Sequence, residues 1–234
     1  MPDLDRLAAS EVRLTVDRLQ ERIEARFPGR GIAALATRLG ALVDEVEGTA
    51  PGINRQLRRA RVVSRVLAAV VLVATVVAMG LALRDALDDG VRSSVDWLPL
   101  IETTINDLVY AAIALFFLYS IPERLQRGRS LVLLHRLRSL AHVVDMHQLT
   151  KDPERFRDDF VPTPRTADPG LSPPEMERYL EYCSEMLSLV GKAAALVAEE
   201  SRDAVVLDAV TGIETLTTSM SRKIWQKITL LSRL

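Results

Sequence analysis

The sequence predicts an all-α membrane protein: a two-helix transmembrane hairpin with N- and C-terminal cytoplasmic helical regions, assembled as a homo-oligomer. Three observations lead there. From Val66 to Leu83 the chain reads VLAAVVLVATVVAMGLAL, 18 residues without a charge. That is about the minimum for a helix crossing roughly 30 Å of hydrocarbon at 1.5 Å per residue. A second apolar run, LPLIETTINDLVYAAIALFFLYSI, covers residues 98 to 121. The flanks place apolar residues three and four apart, the period of amphipathic helices. The averages decide little, because a soluble domain can also have 234 residues, a net charge of −1 and 48% hydrophobic residues.

The elements follow in order. Residues 3 to 27 form an amphipathic helix with Val12, Val16, Leu19 and Ile23 on one face, and FPGRG at 27 to 31 breaks it. A second helix carries Ile32, Leu35, Leu39, Leu42 and Val46 on a heptad seam, and GTAPG at 48 to 52 ends it. These two helices fold back on each other as a hairpin or pair between subunits; neither seam reaches the three or four heptads that identify a coiled coil. The first region is therefore 1–60, closed by a basic juxtamembrane segment.

The hairpin is 61–121, with spans at about 64–83 and 101–121 and a short acidic outer loop, 84–97. It is not a signal peptide, because a long and mostly polar stretch precedes it and no cleavage-type end follows. A buried core helix is the alternative reading of the first run. Arginines set the orientation. Arg55, Arg58, Arg59, Arg61 and Arg65 precede the first span, and Arg124, Arg127, Arg129, Arg136 and Arg138 follow the second. The loop holds only Arg84 and Arg92. Both termini are expected in the cytoplasm of a bacterium, with Trp97 as an interfacial anchor at the outer end. A lone Cys183 allows no intrachain disulfide and suits a reducing compartment. The 26 arginines against 4 lysines read as genome composition.

The third region is 122–234. A helix continues out of the second span, and Asp152 and Pro153 start another. The run VPTPRTADPGLSPP, with five prolines, is loop. Ser172 and Glu175 make a capping signal for a helix from 173 to about 200, with Tyr179, Cys183, Met186, Val190, Ala194 and Val197 on one face. The last helix carries Val206, Val210, Ile213, Leu216, Met220, Ile224, Ile228 and Leu231. These two make an αα-hairpin that needs a third helix or a neighbouring subunit to cover it.

Candidate functional residues lie first in the second span. On a helical wheel Glu102, Thr103, Asn106, Asp107, Tyr110, Ala114 and Phe117 fall on one stripe about 140° wide. Asp107 lies roughly 7 Å deeper than Glu102. Such a stripe faces protein or water, and two spans cannot enclose it within one chain. Two readings stand. In one, the second helices of four or more subunits ring an axis, with carboxylates attracting cations and Tyr110 or Phe117 as an apolar constriction. In the other, Glu102 to Asp107 are an interfacial helix start. In the first span Ala74, Ala78 and Ala82, with Gly80, form a small-residue ladder for close helix packing, within or between subunits.

The basic residues also have two readings. Arg124, Arg127, Arg129, Arg136, Arg138, Lys151, Arg155 and Arg165 serve topology and contact with anionic lipids, or they pair with the phosphates of a nucleotide or oligonucleotide. The C-terminal Arg222, Lys223, Lys227 and Arg233 belong to a packed helix end, or to a membrane-surface or ligand-binding face. His135 and His142 stand seven apart on one face near Asp145, and His147 follows; helix packing explains them better than a metal. The sequence contains no Gly-rich phosphate loop, zinc-protease helix or nucleophile elbow, so no enzyme and no cofactor are expected.

In organisation across the whole chain the protein resembles the small two-span membrane effectors of bacterial anti-phage systems, including Hailong-type channels controlled by nucleotides or DNA. That resemblance implies a homo-oligomeric inner-membrane channel. Its gate would answer to a nucleotide or short nucleic acid made by a partner enzyme, and its opening would depolarise the cell. A non-conducting membrane scaffold that recruits a cytosolic partner is the alternative.

Overall fold

The computed structural model describes residues 6–49, 55–88, 98–166, 168, 170–199 and 201–233. Among these, the elements are six α-helices and one 3₁₀ turn, with no strand. The helices are α1 (Ala9–Arg26), α2 (Gly31–Thr49), α3 (Arg55–Asp88), α4 (Leu98–Leu149), α5 (Pro173–Glu199) and α6 (Ala204–Leu231); the 3₁₀ turn is Pro153–Phe156. They form two compact units, one of residues 1–50 with 129–234 and one of residues 51–128.

The first unit is a five-helix bundle. The sequence reading kept the two flanks as separate regions, whereas they share one core. The reason lies in α5. It buries fifteen of its 27 residues, from Met176 to Val197, and leaves only a narrow stripe with Arg178, Ser188 and Lys192 exposed. An apolar surface that wide needs neighbours on more than one side. α6 covers one side through Val206, Val210, Ile213, Met220, Ile224 and Ile228. The α1–α2 hairpin covers another through Val16, Leu19, Ile23, Ile32, Leu39 and Leu42. The second half of α4 adds Leu133, Leu134, Leu137, Ala141 and Val144. Each fully buried Leu or Ile contributes about 1.5–3 kcal/mol of transfer free energy, so covering the wide apolar surface of α5 with both flanks outweighs keeping them apart.

Polar contacts fix the order of ends. Arg6 reaches Glu199, Arg22 reaches Glu185 at 2.6 Å, and Phe27 meets the Tyr179 ring edge-on at 5.5 Å, so α1 and α5 are antiparallel. Arg136 bonds Glu45 at one end of α2, and His147 lies against Gly31 at the other, so α2 and α4 are antiparallel too. α1 and α2 therefore pair within one chain, through FPGRG, whose Gly29 has φ 71°, a conformation that suits glycine.

The helix starts follow the expected chemistry. Ser172 N donates to Glu175 Oε2 at 2.8 Å, the back-reaching half of a capping box. Hydrogen bonds with Ser172 hold the exposed Glu175 carboxyl below its usual range. Asp203 caps α6 by accepting from Val205 and Val206 N–H. Asp152 accepts from Glu154 N, but only a four-residue 3₁₀ turn follows. Two expected seam positions shift inward to smaller residues. Leu35 and Leu216 are half-buried, while Ala36 and Thr217 are buried beside them. A methyl built on Gly191 would stand 3.2 Å from Thr217 Oγ1, so α5 and α6 approach closely there.

The second unit is a helical hairpin. Its α3 and α4 are both long and apolar enough to cross a membrane, and only 6% of each apolar window is buried within the protein. A core helix of a soluble protein would be mostly covered, so that alternative fails. The first helix runs further than expected, to Asp88, where Arg84 pairs with Asp88. Trp97, Arg92 and the rest of the loop from 89 to 97 lie outside the described residues.

Candidate functional site

The stripe predicted on the second span is built by α4, and the hairpin divides it. Thr104, Asp107, Ala111, Ala114 and Leu118 are half-buried, at steps of three and four. On α3 the covered positions are Leu57, Ser64 and Ala68, with Val71, Thr75 and Ala82 half-buried. Small residues on both helices let the backbones approach. Within the chain the ladder at Ala74 and Ala78 is not used for packing: both are exposed, and nothing lies within 4 Å of a methyl built on Gly80. Ser64 and Ala68, a turn or more earlier, take that role.

That bond repairs the break made by Pro122. Proline has no N–H, so inside α4 it leaves the carbonyl four residues earlier, that of Leu118, without its helical donor. Ser64 Oγ donates to Leu118 O at 2.7 Å. A serine supplying the missing donor is how helices of membrane proteins tolerate proline.

The remaining stripe residues, Glu102, Thr103, Asn106, Tyr110 and Phe117, are exposed on α4 beside the α3 contact. Asp107 and Ala114 turn towards the hairpin seam and are half-buried. So seven residues expected on one lining surface occupy two: an outward face with Glu102, Asn106 and Tyr110, and an edge with Asp107 and Ala114. Tyr110 is 69% exposed and Phe117 54%, so neither ring is used in packing the hairpin.

The cations proposed for an anionic ligand are dispersed. Arg124 and Arg127 belong to the hairpin unit, and the other six to the bundle. Arg136 Nη1 bonds both oxygens of Glu45 at 2.5 and 2.6 Å. Arg155 pairs with Asp168 at 3.1 Å and lies over the Phe156 ring. Arg129 is half-buried, and Arg138 and Arg165 are exposed. The C-terminal set resolves towards a packed helix end. Lys227 Nζ donates to the carbonyls of Gln148 and Lys151 at 2.9 and 3.1 Å, closing the end of α4. Its charge faces the negative end of that helix dipole.

One polar cluster escaped the sequence reading. At the end of α4, His147 Nδ1 lies 3.2 Å from Tyr179 Oη, and Lys151 Nζ sits 5.1 Å over the Tyr179 ring. Gln148 is buried and bonds Asp145 through Nε2, while its Oε1 has no partner among the described residues. Burial pushes the Tyr179 hydroxyl up, and it pushes the Cys183 thiol up to about 12. Burial lowers the Lys227 ammonium despite Asp152 and Asp145 nearby. A thiol held neutral is a poor nucleophile, and every donor found here ends a helix or fixes a ring. The missed signal was the spacing of His147 and Lys151, one turn apart at a helix end. Among the described residues no group of three or more His, Cys, Asp or Glu is placed to hold a metal.

No family model, curated protein or solved structure matches this chain.

Proposed function

We propose that the protein is a homo-oligomeric channel of the bacterial inner membrane, with both termini in the cytoplasm and four or more second-span helices around a central path. The observation that carries this reading is the outward polar face of α4, where Glu102, Asn106 and Tyr110 are exposed within a span. Lipid is a costly neighbour for a carboxylate and an amide, whereas water shared with sister subunits is not. Glu102 then forms an outer carboxylate ring that favours cations, and Phe117 narrows the inner part. Asp107, at the hairpin edge, contributes to the field between neighbouring subunits. In keeping with the resemblance in organisation to two-span anti-phage effectors, the gating ligand in this reading is an anionic nucleotide or oligonucleotide made by a partner enzyme. Within the bundle the exposed Arg138 is a contact for it, whereas Arg136 and Arg155 already hold carboxylates.

The test is reversal potential in planar bilayers under a salt gradient. Glu102→Ala with Asp107→Ala is expected to reduce the preference for cations several-fold. Unchanged selectivity removes these residues from the path. A second reading, a non-conducting membrane scaffold, is favoured by those same two ion pairs, since Arg136 and Arg155 spend their charge on Glu45 and Asp168 and are poorly prepared to sense an anion. It predicts silent bilayers and a partner protein lost when the α5–α6 hairpin is disrupted.

A further inference from the structure

The half of α4 that belongs to the bundle has two faces. One is core, with Leu133, Leu134, Leu137, Leu140, Ala141 and Val144 buried. The other exposes Val132, His135, Ser139, His142, Met146 and Leu149 in succession. Their spacing is three, four, three, four, three, an unbroken heptad seam. Val132, Met146 and Leu149 are 61%, 66% and 61% exposed, in a unit that buries most of its long apolar side chains.

We propose that this seam is a homotypic interface, occupied by the same seam of a second copy running parallel and in register. Three features favour that occupant over an unrelated helix. First, copies sharing one membrane topology present their α4 helices in the same direction, which brings identical positions together. Second, the flanking charges tolerate this pairing. With Val132 as a and His135 as d, the facing g and e positions are Leu131 with Arg136, Arg138 with Val143, and Asp145 with Thr150; no like charges meet, and Glu45 already neutralises Arg136. The pairing ends towards the membrane, where Arg124 would meet Arg129. Third, two histidines at d positions match each other only in register, the way single polar core positions specify alignment at a cost in stability. The seam spans only about 27 Å, shorter than an independent coiled coil. Confinement in one membrane supplies the effective concentration that so short a seam lacks.

This proposal rests on the membrane reading, which makes the copies parallel, and not on conduction. The test is oxidative cross-linking of the full-length chain in membranes with copper phenanthroline. Ser139→Cys, at an a position, is expected to give disulfide-linked dimers. Ser219→Cys, exposed on α6, is expected to stay monomeric, as is the natural chain, whose Cys183 is buried. Adding Met146→Glu to Ser139→Cys is expected to reduce the cross-linked fraction at least several-fold while the helical signal in circular dichroism is unchanged. Absence of the Ser139→Cys dimer, or equal cross-linking at Ser219→Cys, overturns the interface. Dimers with silent bilayers leave the seam standing and remove the channel; conducting bilayers without dimers do the reverse.

Discussion

α3 and α5 are both long helices rich in apolar side chains, and they bury opposite amounts. In α5 the residues from Met176 to Val197 are enclosed by α1, α2 and α6. In α3 the apolar window is 6% buried, with Val66, Val70, Val73 and Val77 all more than half exposed. Hydrophobicity alone does not separate the two. Charge does: α5 carries Glu175, Arg178, Glu181, Glu185 and Lys192 at its outer edges, whereas the stretch from Val66 to Leu83 carries none. A helix with a few charged positions has a water-facing side to offer, and one without needs an apolar solvent.

The largest effect that tests this comparison is a pair of identical truncations. Leu187→Ala in α5 is expected to cost about 2–5 kcal/mol, because it opens a cavity in a close-packed core. Leu72→Ala in α3, at a side chain 54% exposed, is expected to change stability by less than about 0.5 kcal/mol. Denaturant unfolding in detergent, followed by circular dichroism, measures both. Equal losses would mean that the two helices share one kind of environment.

A smaller effect concerns how the helices begin. Asp203→Ala removes the acceptor of two N–H groups at the start of α6 and is expected to cost about 1 kcal/mol, with Asp203→Asn recovering most of it. In α3 the corresponding polar contribution is the Ser64 hydroxyl. Ser64→Ala leaves the Leu118 carbonyl unpaired and is expected to cost about 0.6 kcal/mol, typical of hydrogen bonds between membrane helices. Ser64→Thr should restore the bond. A loss at Ser64→Ala as large as that at Leu187→Ala would show that Pro122 makes the hairpin depend on this one donor.

Much of this fold was legible in the chain. FPGRG, Ser172 with Glu175, and the prolines from 162 to 174 mark breaks where the helices do start and stop, because caps and turns are local chemistry. The faces of α1, α5 and α6 followed from period, because the apolar side of an amphipathic helix is its buried side. The candidate site was less legible. Glu102, Asn106 and Tyr110 are exposed on α4, whereas Asp107 and Ala114, read on the same stripe, are half-buried at the hairpin edge. Wheel angles give directions around one helix and carry no information about where the next helix touches it. The cations divided for a similar reason: Arg136 and Arg155 find Glu45 and Asp168 only after distant segments meet.

By itself, the sequence determined the helices, their breaks and which two are long and apolar enough to cross a membrane, since each depends on residues within one or two turns of one another. Only the tertiary structure decided that the flanks form one bundle, that Ser64 serves the carbonyl freed by Pro122, and that α4 keeps an uncovered seam from Val132 to Leu149. Those outcomes depend on which surfaces are already occupied. Occupancy is a property of the packed chain, set by the competition among all its apolar faces for the same few neighbours.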